Sequence, residues 1–114
     1  MHIKRYIHQN RMLLAVDCII FGFDGTHLKL LLIKRSFQPQ KGRWSLMGGF
    51  VMPDENLDTA AARILKQLTG LTDIYLEQLF AFGDPHRDPT ERTVSISYFA
   101  LVDINKYEEQ INHE

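Results

Sequence analysis

The stretch that decides the fold runs from residue 49 to residue 71 and reads GFVMPDENLDTAAARILKQLTGL. Pro53 introduces a segment whose apolar residues recur at helical spacing, which predicts an α-helix over residues 57–68. Gly70 then supplies the left-handed turn that commonly ends a helix. The apolar face of this helix consists of Leu57, Ala61, Ile64, Leu65 and Leu68.

Segments rich in β-branched and aromatic residues flank the helix on both sides. Residues 13–23 and 28–33 are apolar runs joined by an Asp-Gly turn, which indicates a β-hairpin. Residues 74–82 and 93–102 are predicted to be further strands. Because both arms of the hairpin are apolar at odd and even positions, we expect it to be covered on both faces, as in a layered α/β domain.

Burial is also predicted at two places outside the hairpin. The strand at 93–102 begins with strict alternation, so we expect it to be half-buried at first and fully buried later. Trp44 follows a loop-like, polar stretch, and we expect its large side chain in the core rather than at a ligand.

The composition of the 114 residues limits the functions that the chain can have. Thirteen Lys and Arg against fourteen Asp and Glu give a formal net charge of −1, so the domain as a whole does not attract nucleic acid or an anionic membrane. The single cysteine, Cys18, excludes an internal disulfide and a Cys-based zinc site. No apolar run suits a signal peptide or a membrane span, and we expect a cytoplasmic protein.

The same stretch resembles the Nudix box, whose pattern is G-x5-E-x7-R-E-U-x-E-E-x-G-U with U an apolar residue. The positions that match are Gly49, Glu55, Arg63, Leu65, Gly70 and Leu71. The flanking runs KGRWSLMGGFV and FGDPHRDPTERTVSISYFALV are similar to those of the Nudix-related transcriptional regulators, bacterial repressors that sense ADP-ribose or a sugar such as arabinose. The resemblance covers residues 12–102.

This resemblance implies a Nudix-type α/β/α sandwich with a mixed sheet, here without its last strand and helix, because the sequence after Asp103 is polar. The expected organisation is an N-terminal segment, residues 1–11, and a Nudix-like domain, residues 12–114. A winged helix-turn-helix is expected beyond residue 114, and DNA would be contacted only through it. The full protein would be a homodimer, since a two-fold symmetric operator is bound by two copies of the DNA-binding domain.

The departures from the box concern metal binding. In active Nudix hydrolases the glutamates of R-E-U-x-E-E hold Mg²⁺ against a diphosphate, whereas here Ile64, Gln67 and Leu68 occupy those positions on one helix face. Mg²⁺ prefers oxygen ligands, and Ile and Leu offer none. We therefore expect no metal, no cofactor and no catalytic residue. Glu55 would be catalytic only if the domain were an Mg²⁺-dependent hydrolase.

Four side chains are candidates for hydrogen bonds to an effector, namely Asp17, Glu55, Asp84 and His86. Asp17 stands in an apolar strand, where a buried carboxylate is costly unless it is paired or hydrogen-bonded. It is therefore a pocket residue, or it lies at a sheet edge or in a structural hydrogen bond. The charged loop at residues 83–92 is either a solvated turn or a polar lid.

Two functions of different classes follow from these residues. The first is a catalytically inactive Nudix-fold domain that binds a sugar or an ADP-ribose-like effector and controls a DNA-binding domain. The second is a Nudix hydrolase of nucleoside diphosphate compounds, an ADP-ribose-type pyrophosphatase. A structural or dimerisation module is a third, weaker reading.

Overall fold

The computed structural model describes residues 6–34 and 42–107, which form seven strands and two helices. The predicted strands and the predicted helix are all present, with ends that differ by up to three residues from those expected. In chain order the elements are β1 (Leu13–Phe23), β2 (Leu28–Leu30), β3 (Ile33–Lys34), β4 (Trp44–Ser45), β5 (Met47–Phe50), α1 (Leu57–Thr69), β6 (Glu77–Phe82), β7 (Thr93–Asp103) and α2 (Ile104–Tyr107).

Five of these strands form one mixed sheet, as the sequence predicts. Its order is β2-β1-β7-β6, and β5 also pairs with β1. β1 runs parallel to β7 along its whole length, from the pair Leu13–Thr93 to the pair Phe23–Asp103. The pairings of β1 with β2 and β5, and of β6 with β7, are antiparallel. β3 and β4 form a separate two-stranded antiparallel sheet.

Residues that pair across strands share a face, and the register therefore defines two faces of the mixed sheet. The inner face lies against α1, because the Cys18 thiol donates to the carbonyl of Ala61 and the Tyr98 hydroxyl donates to Asp58. The core lies between this face and α1. Asp17 and its paired neighbours Gly48 and Ser97 lie on the opposite, outer face.

Helix α1 has defined caps at both ends. The side chain of Asn56 accepts a hydrogen bond from the backbone nitrogen of Thr59 at 2.8 Å. Gly70 adopts a left-handed conformation with φ 82°, which costs a residue without Cβ little, and its backbone nitrogen donates to Lys66. These caps explain why the helix ends where the local sequence predicts.

Three expectations about burial are wrong. All of β2 is exposed, because it is a three-residue strand at the sheet edge and no described element covers it. Trp44 is 66% exposed, since it lies in the small two-stranded sheet and not in the core. β7 is buried near its start, at Ser95 and Ser97, because strands flank it on both sides and the preceding loop folds back onto Ser95. Near its end it is not fully buried, since Leu101 is exposed.

The ends of the chain are described only in part. After β7 the short α2 is the last described element, and residues 108–114 lie outside the described part, so the expected lack of a final strand and helix stays a prediction. Of the N-terminal segment, residues 6–11 are described. Neither described helix is both long and apolar enough to span a membrane.

Asn56→Ala is expected to lower the free energy of unfolding by about 1 kcal/mol, because it removes the acceptor that caps α1. Urea denaturation followed by circular dichroism measures this change. Asn56→Asp keeps an oxygen acceptor and serves as the control, with stability close to that of the parent. Equal stability of the parent and Asn56→Ala would show that the cap does not support the fold.

Candidate functional site

The Nudix-box arginine and glutamate form an ion pair next to the start of α1. Arg63 donates to both carboxylate oxygens of Glu55, at 2.7 Å from Nη2 to Oε1 and 2.8 Å from Nε to Oε2. Arg63 Nη2 also donates to the carbonyl of Phe50, and the backbone nitrogen of Met52 donates to Glu55 Oε1. This bidentate, charge-assisted arrangement closes the loop between β5 and α1.

The hydrogen bonds to Glu55 also determine its ionisation. Those from Arg63 and from the Met52 backbone lower the pKa of Glu55 to about 2. The Glu55 carboxylate in turn raises the pKa of Arg63. Glu55 is thus an ionised structural partner whose two oxygens already accept three hydrogen bonds.

The three positions that carry metal ligands in hydrolases have other contacts in this chain. Ile64 is buried and lies directly against Gly49, since a Cβ at residue 49 would be 3.0 Å from the Ile64 side chain. Gln67 Oε1 accepts a hydrogen bond from Arg63 Nη1 at 3.1 Å. Leu68 is half-buried and lines a cavity.

These contacts leave no donor set suited to Mg²⁺ on this helix face. A divalent cation of this kind needs several oxygen ligands, and the face offers two apolar side chains and one engaged amide. Across residues 6–34 and 42–107, no three His, Cys, Asp or Glu side chains come together in a way that could hold a metal ion. The residues present do not fit the metal that the Nudix box implies.

A cavity of about 310 Å³ lies beside this face. Its volume is at the small end of the range found for ligand pockets. One carboxylate, several apolar side chains and two glycines line it, and these residues are Asp17, Ile33, Leu46, Gly48, Gly49, Phe50 and Leu68. We call this cavity the Asp17 pocket.

Asp17 is held in the pocket wall by an ion pair with a distant residue. Its Oδ2 accepts from Arg87 Nη2 at 3.3 Å, and Arg87 Nη1 donates to Ser95 Oγ at 2.8 Å. The guanidinium also lies over the ring of Phe82, 5.5 Å from its centroid. Burial raises the pKa of Asp17, and the charge and hydrogen bond of Arg87 oppose that rise. Of the alternatives that the sequence left open, the pocket position and the structural hydrogen bond both apply, and the edge position does not, because β1 pairs with β5 on one side and β7 on the other.

The four candidate ligand residues do not come together in one place. Asp84 and His86 are exposed and form a turn, in which Asp84 Oδ1 accepts from the His86 backbone nitrogen, and neither lines the Asp17 pocket. Glu55 lines a different cavity of about 340 Å³, otherwise surrounded by apolar residues and Pro53. Their roles in binding an effector remain predictions.

Arg87 is the residue of the charged loop that reaches Asp17 in the pocket wall, and it is not one of the four candidate ligand residues. The concentration of charge at residues 83–92 was the available signal, but the sequence does not reveal a partner 70 positions away. Arg87 is partly exposed, and its guanidinium bridges Ser95 of β7 and Asp17 of β1.

Glu55→Gln is expected to lower stability in a pH-dependent way. Because the pKa of Glu55 falls from its ordinary 4.5 to about 2 on folding, its ionised form stabilises the fold above pH 4.5, and this contribution is lost as the pH falls towards 2. Urea denaturation should give a clear stability difference between parent and variant at pH 6, which shrinks towards pH 2. Glu77→Gln, at an exposed position in β6, is the control. A difference independent of pH would contradict this assignment.

Comparison with known proteins agrees with this geometry. Residues 11–114 match the family model of the NUDIX domain. The chain is 45% identical over 103 residues to the ADPR responsive transcriptional repressor NtrR of Acinetobacter baylyi, a match that covers 89% of this chain and 41% of that protein. It is 35% identical over 95 residues to the ADP-ribose pyrophosphatase of Methanocaldococcus jannaschii, covering 83% of this chain and 56% of that protein.

The chain thus spans about half the length of these curated relatives. Among solved structures, the NUDIX domain of Shewanella oneidensis NrtR complexed with ADP ribose superposes with a TM-score of 0.78 at 34% identity. The match covers 88% of this chain and 66% of that one, and it confirms the α/β/α sandwich that the sequence predicts. With its mixed sheet, its Gly49–Leu71 box and this similarity, the chain belongs to the NUDIX domain family.

Proposed function

We propose that this domain binds ADP-ribose without hydrolysing it and acts as the effector-binding domain of a bacterial transcriptional regulator. The observation that carries the proposal is the replacement of the metal ligands on α1. Ile64 fills the space over Gly49, Gln67 pairs with Arg63, and Leu68 forms part of a pocket wall.

These replacements favour binding over turnover. Metal-assisted hydrolysis of a diphosphate relies on the ion to neutralise developing charge and to activate water. Glu55 is the one box carboxylate left, and its oxygens are occupied by Arg63 and the Met52 backbone. The Asp17 pocket meanwhile offers a concave site next to the same helix face.

The relatives favour ADP-ribose over a free sugar such as arabinose. NtrR is an ADPR responsive transcriptional repressor, and the NrtR NUDIX domain was solved in complex with ADP ribose. Both are more than 30% identical to this chain along most of its length. A sugar effector remains the second choice within the same class of function.

We also propose that DNA is contacted by a winged helix-turn-helix outside these 114 residues, in a cytoplasmic homodimer. The support is the 41% coverage of NtrR, a longer protein, together with the net charge of −1 of the present chain. α1, the one long helix in the described part, packs its apolar face on the sheet.

The alternative function is an ADP-ribose pyrophosphatase. The similarity to the Methanocaldococcus jannaschii enzyme favours it, at 35% identity. It requires Mg²⁺ to be held without the usual glutamates, and the geometry at Ile64 and Glu55 argues against that.

Calorimetry with ADP-ribose tests the proposed function. We expect binding with the same affinity in EDTA and in Mg²⁺, because no metal takes part, and we expect weaker or no binding of arabinose. Leu68→Trp, which fills the Asp17 pocket, should weaken binding at least tenfold, equivalent to about 1.4 kcal/mol.

Lys66→Trp places the same side chain on α1 outside the Asp17 pocket and is the matched control. It should bind like the parent. Binding that requires Mg²⁺, or no binding of ADP-ribose by the folded parent, would overturn the proposal.

A further inference from the structure

We propose that the Asp17 pocket receives the terminal ribose of the effector and excludes its phosphates, and that Arg87 is a positioning residue that holds Asp17 for this contact. The inference rests on the proposed function and deepens it, since it assigns one part of the ligand to one cavity. Three observations support it, namely the lining of the pocket, the orientation of the Asp17 carboxylate, and the contacts of Arg87.

The lining of the pocket suits a sugar ring and not a phosphate. Asp17 is the one charged group among the described lining residues, and the remainder are apolar side chains and glycines. Among the described residues, the cation in contact with Asp17 is Arg87, which lies on Oδ2, so a phosphate at Oδ1 would meet an anionic acceptor directly. A ribose offers hydroxyl donors for the carboxylate and C–H surface for the apolar walls.

The size of the pocket selects the terminal ribose in particular. About 310 Å³ is small for a ligand site and accommodates one ring unit better than a nucleoside. The terminal ribose ends the ADP-ribose molecule and carries no base, whereas the other ribose is attached to adenine.

The two oxygens of Asp17 face different partners. Oδ2 accepts from Arg87, while Oδ1 lies beside Gly48, where a Cβ would come within 2.5 Å of it. Within the described residues, no hydrogen bond to Oδ1 is formed. A carboxylate oxygen in this state is a ready acceptor for a hydroxyl group. Oδ1 has room in this position because residue 48 is a glycine and has no side chain.

Arg87 is fixed by partners that do not belong to the pocket. Its guanidinium donates to buried Ser95, lies over Phe82, and reaches Asp17 from the outer face of the sheet. Arg87 is not among the lining residues, so it acts on a ligand through Asp17. This makes it a positioning residue and not a ligand-binding one.

The charge of Arg87 also favours the ionised form of Asp17. Burial raises the pKa of Asp17 and Arg87 opposes that rise, so removing the cation raises the pKa further. Arg87 is the charged group in contact with Asp17 among the described residues, and the paired neighbours Gly48 and Ser97 carry no charge. The adjacent Cys18 thiol, whose pKa is raised to about 12, stays neutral.

Calorimetry with ADP-ribose and ADP tests the sugar assignment at pH 8, since ADP lacks the terminal ribose. The parent should bind ADP-ribose at least tenfold more tightly than ADP. Asp17→Asn and Gly48→Ala should reduce this preference to below threefold, the first by removing the charged acceptor and the second by displacing it.

A pH series with ADP-ribose alone tests the role of Arg87. Binding by the parent should weaken as the pH falls through the pKa of Asp17, because the protonated carboxyl is a poorer acceptor. In Arg87→Gln the midpoint of this loss should move to higher pH. In Arg87→Lys, which keeps the positive charge, the midpoint should lie between those of the parent and Arg87→Gln. Thermal melts confirm that each variant is folded.

The outcomes separate this inference from the proposed function. If the parent binds neither ligand, both are overturned. If the parent binds ADP-ribose and ADP equally, or if Asp17→Asn keeps the preference, the proposed function stands and the sugar assignment is wrong. If Arg87→Gln weakens ADP-ribose and ADP alike with an unchanged pH midpoint, Arg87 has only a structural role.

Discussion

The contact between Ile64 of α1 and Gly49 of β5 is the constraint on which the rest of the site depends. A glycine at residue 49 allows the helix to approach the sheet, and the branched side chain of Ile64 fills the space at about 3 Å from where a Cβ would stand. One residue earlier, Arg63 binds Glu55 and closes the connecting loop. A single residue, Ile64, therefore both packs the helix against the sheet and replaces a metal ligand.

The polar groups that could contact a ligand therefore lie on a strand and a loop, and not on the helix. With an apolar helix face, the polar groups near the cavity come from β1 and from the loop before β7, which Asp17 and Arg87 join across the sheet. A ligand at such a site would be held by hydrogen bonds to the Asp17 carboxylate and not by a bound metal ion. In the proposed function, this difference explains why ADP-ribose is bound but not cleaved.

The sequence predicted what depends on local patterns. The helix predicted over 57–68 is present as Leu57–Thr69, and the long strands β1 and β7 are present as well. These elements follow from periodicity and capping, and the glycine and apolar positions of the box follow from spacing. The loss of metal ligands at Ile64, Gln67 and Leu68 was also visible in the sequence.

The sequence could not predict what depends on contacts between distant segments. Arg87 contacts Asp17 because β1 and β7 are parallel neighbours and the loop before β7 brings Arg87 onto Ser95. Asp84 and His86 share a loop with Arg87, yet their local turn leaves them exposed. Exposure of Trp44 depends on its small, separate sheet and not on its hydrophobicity.

Turnover of ADP-ribose is the measurement that tests the central claim most directly. The folded chain is incubated with ADP-ribose and Mg²⁺ or Mn²⁺, and the release of AMP and ribose phosphate is followed by chromatography. Since each 1.4 kcal/mol of lost transition-state stabilisation lowers the rate about tenfold, the absence of several metal ligands predicts a rate indistinguishable from buffer. Metal-dependent cleavage that disappears in Glu55→Gln would contradict the account.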